Sequence, residues 1–187
     1  MKKVISTLLA LSLIAGGINA TTAAPEYAEN SKLIVADAAT ADTSEAGEAQ
    51  TVKASSKYSL VKNTSWVDKT NGNTYQIAQI NGEYTICLTK VKNTNITVDM
   101  SEEIEIDSEV AAKLEDSQKP AKNVATVIAD KAFYDSYLKE IDLTGVVYIG
   151  ANAFQKCQYI TEITIPASVE FVGSYAFDSS GLKTLMF

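Results

Sequence analysis

Apolar positions in the last third of the chain recur with a fixed rhythm. Val124–Leu143, Val146–Ile165 and Val169–Phe187 align on an Ala-Phe pair, at Ala132-Phe133, Ala153-Phe154 and Ala176-Phe177. Five positions before each Phe stands Ile128, Ile149 or Val172, followed at once by the small Ala129, Gly150 or Gly173. Three positions after it stands Ser136, Cys157 or Ser180. Each copy closes on an apolar triplet: Leu138-Ile141-Leu143, Ile160-Ile163-Ile165, Leu182-Leu185-Phe187. The last two members of each triplet are two residues apart and share one face of a strand. A small residue after the first apolar pair suits a tight turn with close backbone approach. The pattern therefore predicts, in each copy, a short strand, a turn, a Phe-anchored loop and a second short strand. A period in the twenties marks a solenoid, whose repeats bury their apolar faces only against their neighbours.

Upstream the period changes. Tyr75–Ile80 and Tyr84–Val91 flank Asn81-Gly82 and read as a hairpin, and Asn71-Gly72 marks a second tight turn. Ile96, Val98 and Met100 alternate, predicting one strand face and a degenerate first repeat. Ser101–Gln118 is acidic and reads as a surface insertion, with Ser108 expected to cap a short helix through Leu114. Residues 58–120 are thus expected to form an N-terminal β cap with an acidic insertion, since a solenoid must cover its first core face. Residues 21–57, rich in Ala, Thr, Ser and Glu, read as a flexible linker. At the start, Lys2-Lys3, the apolar run Val4–Ala15 and Ile18-Asn19-Ala20 make residues 1–20 a secretory signal peptide. No other stretch is long enough to span a membrane.

One copy spells a family pattern. Val146, Ile149, Gly150, Ala153, Phe154, Cys157, Ile160, Ile163, Ile165 and Pro166 fill V-x-x-I-G-x-x-A-F-x-x-C-x-x-I-x-x-I-x-I-P, with one extra residue before Ile160. This resembles the BspA-like leucine-rich-repeat family of bacterial surface proteins. The third copy has Ser180 in place of the Cys, and the first lacks both the Gly (Ala129) and the Pro (Thr144). The resemblance implies a mainly β fold with short helical turns, a leucine-rich-repeat solenoid over residues 121–187. It also implies a secreted or surface-displayed bacterial protein that adheres to an extracellular protein or glycan, including host-derived ones. The rival reading is a structural spacer within a larger surface protein or secreted enzyme. Leu185-Met186-Phe187 lies within the final strand without a polar capping segment, so the array is expected to continue beyond it and the chain to self-associate or be trimmed at its C-terminus.

Composition narrows the chemistry. All 16 basic residues are Lys, against 23 acids, and His is absent. An acidic chain without Arg is a poor match for nucleic acid, which needs a basic face. Without His there is no ordinary Ser–His or Cys–His pair and no His-bearing zinc site. Ser136-x-x-Lys139 and Ser180-x-x-Lys183 spell a Ser–Lys acylase motif, but both fall at one repeat position, which repeat geometry explains. Asp68–Gly72 has its Gly in the wrong place for a calcium loop and reads as a turn. Trp66 reads as core of the cap rather than a sugar platform. Cys87 and Cys157 read as unpaired buried thiols. No catalytic residue, metal site or cofactor is expected.

The candidate ligand-binding residues lie on the second strands. Stacked in register, Glu140, Glu162 and Thr184 form one column, and Asp142, Thr164 and Met186 the next. Two glutamates on neighbouring strands about 4.8 Å apart repel, which a basic ligand or cation would relieve. Tyr134, Tyr137, Tyr148, Tyr159 and Tyr175 crowd the adjoining loops.

Overall fold

The computed structural model describes residues 58–187 and the two-residue strand Ile34–Val35. The expected signal peptide lies outside the described residues, as does the expected linker apart from that strand. The described residues are mainly β, as predicted, with eleven strands among them: β1 (Ile34–Val35), β2 (Ser59–Val67), β3 (Thr74–Ile80), β4 (Glu83–Lys90), β5 (Thr97–Asp99), β6 (Ala125–Ile128), β7 (Glu140–Asp142), β8 (Tyr148–Ile149), β9 (Glu162–Thr164), β10 (Phe171–Val172) and β11 (Thr184–Met186). Seven form one mixed sheet in the order β1-β10-β8-β6-β4-β3-β2. The others form two parallel pairs, β5-β7 and β9-β11.

The hairpin forms where the turn chemistry put it. β3 and β4 pair antiparallel around Asn81 (φ 53°) and Gly82 (φ 87°), the two positive dihedrals a type I′ turn demands. Asp68 Oδ1 accepts from the N–H of Thr70 at 2.6 Å and of Asn71 at 3.1 Å, so Asp68–Gly72 is an Asx-stabilised turn. β4 then runs parallel to β6, with Cys87 opposite Val127 and Leu88 opposite Ile128. It stands beside the first repeat as one repeat stands beside the next. Ala129 N donates to Leu88 O at 2.9 Å, just as Gly150 N donates to Ile128 O and Gly173 N to Ile149 O, each at 2.8 Å.

The three Phe anchors form one column. The Phe133 and Phe154 rings lie 4.8 Å apart and the Phe154 and Phe177 rings 5.3 Å apart, both stacked near parallel. Phe133 and Phe154 are fully buried, whereas Phe177 is half-buried. The loops around them carry a regularity of their own. The residues two before and two after each Phe are Lys131 and Asp135, Asn152 and Lys156, Tyr175 and Ser179, and all six have φ between 53° and 62°. Left-handed backbone costs a residue with a Cβ about 1–2 kcal/mol. Its return is a ladder toward the next copy. Lys131, Phe133 and Asp135 donate to Ala151, Ala153 and Gln155 at 2.9–3.0 Å, and Asn152, Phe154 and Lys156 donate to Ser174, Ala176 and Asp178 at 2.7–3.0 Å.

Close packing explains the small residues. A Cβ on Gly150 would collide with the backbone N of Asp130, and one on Gly173 with that of Ala151. Cys157 fills its slot by donating to Phe133 O at 2.8 Å, with Ser136 Oγ at 3.4 Å.

Three expectations need correction. Ile96 does not share the inward face of Val98 and Met100; it is 47% exposed while they are buried, its carbonyl accepting from the N–H groups of Lys139 and Glu140. Helix α1 spans only Ser108–Ala111, and its N-cap is Asp107, whose carboxylate accepts from Glu109 N at 2.9 Å. The acidic insertion is also more than surface, since Ile104, Val110 and Leu114 are buried in the core.

Candidate functional site

The second strands of the copies carry the candidate residues outward. Glu140, Asp142, Glu162 and Thr164 are exposed and Thr184 is partly so, while the intervening Ile163 and Leu185 are buried. β9 and β11 pair in the expected register, Glu162 opposite Thr184 and Thr164 opposite Met186. The columns extend the other way onto β5, where Thr97 stands opposite Glu140 and Asp99 opposite Asp142. Val98 faces Ile141, so β5 pairs as a repeat strand would.

The uninterrupted stack does not form. β7 pairs with β5 and β9 with β11, but no ladder joins β7 to β9. No strand ladder therefore ties Glu140 to Glu162. The middle copy has one more residue between its Phe and Ile160 than the first copy has before Leu138, so the loops leading into the two strands differ in length. Between them lies a groove of about 430 Å³, lined by Lys139, Glu140 and Ile141 on one side and by Tyr159, Glu162 and Thr164 on the other. The Tyr137 and Tyr159 rings sit 5.5 Å apart, both exposed. A second cavity of about 380 Å³ lies under the acidic insertion, between Ile106, Leu114 and Pro120.

The groove carries Glu140 and Glu162 with Lys139 beside them. Among the described residues the one ion pair is Lys119–Asp116, at 2.6 Å, so neither glutamate is ion-paired. Asp142 Oδ1 accepts from Thr144 N at 2.8 Å and Thr144 Oγ1 at 2.7 Å, and these bonds hold its carboxyl below the usual carboxylate range. Asp99 makes the same two bonds to Ser101, at 2.8 and 2.6 Å. Each carboxylate keeps its other oxygen free of these bonds.

Of the five predicted site residues, Glu140, Glu162 and Thr164 line the groove; Asp142 lies beside it on β7, and Thr184 one strand away on β11. Thr97, Asp99 and Lys139 were not singled out for this face, and Tyr159 was noted only among the loop tyrosines. The signal for Asp99 was legible, because Asp99-Met100-Ser101 spells the same turn as Asp142-Leu143-Thr144. Of the loop tyrosines, Tyr134, Tyr137, Tyr159 and Tyr175 are exposed, while Tyr148 is core, stacked 4.5 Å from Phe171. Lys156 Nζ lies 5.3 Å from the Tyr134 ring centre.

The other sequence candidates resolve locally. Ser136 is buried against Cys157, and Ser180 Oγ donates to Phe177 O at 2.7 Å. Trp66 is buried 5.9 Å from the Tyr75 ring. Cys87 and Cys157 are both buried and free. Among the described residues no group of three His, Cys, Asp or Glu is placed to hold a metal, and no helix is long and apolar enough to cross a membrane.

Residues 125–187 match the family model described as the BspA type leucine rich repeat region, in six copies. The same span holds six strands, β6 to β11, two for each Phe-anchored copy. This segment is therefore a run of BspA-type leucine-rich repeats, the class of module that suggests protein binding. Nothing matches the chain among curated proteins or among solved structures.

Proposed function

We propose that the chain is a non-catalytic binding module of a secreted or surface-displayed bacterial protein, holding an extracellular protein or glycan on its second-strand face. The observation that carries this reading is the groove between β7 and β9, where Glu140 and Glu162 stand exposed outside any ion pair and outnumber the one lysine, Lys139. An exposed acidic groove rimmed by Tyr137 and Tyr159 offers charge for a basic ligand and apolar area with polar tips for contact. In this reading the repeats are a short solenoid. The β2–β4 layer is its N-terminal cap, a role supported by the way β4 mimics a preceding repeat.

Surface binding of the full chain to a panel of extracellular-matrix proteins and glycans tests the proposal, wild type beside Glu140→Lys/Glu162→Lys. Both side chains are exposed, so the variant keeps its fold. Weakened binding by the folded variant supports the face. Equal binding by both removes it, and no binding to any ligand returns the chain to the spacer reading. Export is tested separately: intact mass of secreted material is expected to show a chain starting within a few residues of Thr21, and a retained Met1 contradicts it.

A further inference from the structure

The seven-stranded sheet ends, beyond the third repeat, on a strand from outside the repeats. β1 runs parallel to β10, with Ile34 opposite Phe171 and Val35 opposite Val172. That is the register by which the repeats pair with each other. Tyr148–Ile149 stands against Phe171–Val172 in the same way, and Val127–Ile128 against Tyr148–Ile149. Carried across the sheet, this register places Val35 in one column with Val172, Ile149 and Ile128. The sequence agrees independently. Ile34-Val35-Ala36-Asp37 repeats the order of Val127-Ile128-Ala129-Asp130: two β-branched apolar residues, Ala, Asp. A segment in the N-terminal region thus carries the lettering of a repeat strand and takes a repeat strand's place.

The β10 edge is built to accept it. Phe171 N and Gly173 N both donate toward β8, to Val147 O and Ile149 O. Backbone groups of successive strand residues point to opposite edges, so the N–H and C=O of Val172 face β1. An edge of this kind is a template for an added strand. The tether is long enough for the chain's own segment. Residues 36–57 reach up to about 75 Å when extended. The tether ends at Tyr58, whose ring lies 5.0 Å from that of Tyr148, one strand from β10.

We propose that the β10 edge is a docking site for an extended parallel strand, and that the chain's own Ile34–Val35 strand occupies it in cis as a stand-in for a repeat strand. A separate strand of the same pattern has to displace it in order to bind there.

Two measurements on the full chain test this. In Ile34→Pro/Val35→Pro, consecutive prolines cannot continue the ladder. Amide exchange at Val172 is then expected to accelerate at least about 10-fold, while Gly173, bonded to Ile149 on the other edge, keeps its wild-type rate. Unchanged exchange at Val172 overturns the proposal. The second measurement does not depend on that variant folding. Val35→Cys/Val172→Cys places two thiols on directly opposed residues, and mild oxidation is expected to give an intramolecular disulfide in most molecules at every protein concentration. Val35→Cys/Asp178→Cys serves as the control that does not close. A disulfide that forms only between chains shows a swapped strand from a second copy and overturns the cis assignment. No disulfide overturns the docking itself.

Discussion

At the residue scale, burial decides what each side chain is worth. Phe154 is enclosed between two stacked rings and fully buried, so Phe154→Ala is expected to cost about 3–5 kcal/mol in urea unfolding. Phe177→Ala is expected to cost clearly less, because only one of its faces meets another ring. Equal losses would contradict the one-column core. Burial also sets an alkaline limit. It pushes the Cys87 thiol well above its ordinary value of 9.0. Above that pH the unfolded chain loses a proton that the folded chain keeps, so the unfolded state binds fewer protons and stability falls as pH rises. Each such group contributes a slope of up to about 1.4 kcal/mol per pH unit. Tyr148, pushed up to about 12 by burial, joins from pH 10. Melting temperature is expected to fall from pH 9 to 10, and less steeply in Cys87→Ala; identical slopes would contradict the assignment. The Phe anchors and small residues were legible because burial constrains residue type. The left-handed positions were not: Lys131, Asp135, Lys156 and Tyr175 carry no shared lettering, although Lys131, Asp135 and Lys156 all donate to the next copy.

At the scale of elements, the turns and strands followed local chemistry. Asn81-Gly82 made its hairpin, and the paired apolar positions made their strands. Gly82 and Gly150 show two different uses of glycine. Gly82 has open space around it but φ 87°, so Gly82→Ala is expected to cost about 1 kcal/mol through the backbone. Gly150 would collide with Asp130, so Gly150→Ala is expected to cost about 1–3 kcal/mol through overpacking. Calorimetry of both variants checks the order, and a cost at Gly82 exceeding that at Gly150 would contradict it. What the pattern of apolar positions did not reveal is that no ladder joins β7 to β9. The extra residue before Ile160 was visible in the sequence, but its consequence depends on how two neighbouring copies pair. The helix was misplaced for a smaller reason. Asp107 and Ser108 are both good caps, and only the bond to Glu109 N distinguishes them.

At the scale of the molecule, the account describes a repeat run flanked by an antiparallel layer that shares its sheet. The repeats were the most legible part, since a period of this kind is written in the apolar positions themselves. The site was half legible. Glu140, Glu162 and Thr164 do line one groove, on two strands that no ladder joins. Tyr159 and Lys139 line it with them. An acidic groove of this kind makes a specific electrostatic claim, because exposed charges are screened over about 8–10 Å at 0.1–0.15 M salt. The most direct test is the salt dependence of affinity for a basic extracellular protein, measured for the full chain and for Glu140→Lys/Glu162→Lys. The account predicts that wild-type affinity falls steeply as salt rises, while the variant binds more weakly at low salt and loses most of that dependence. Wild type and variant showing the same affinity and the same salt slope would contradict it.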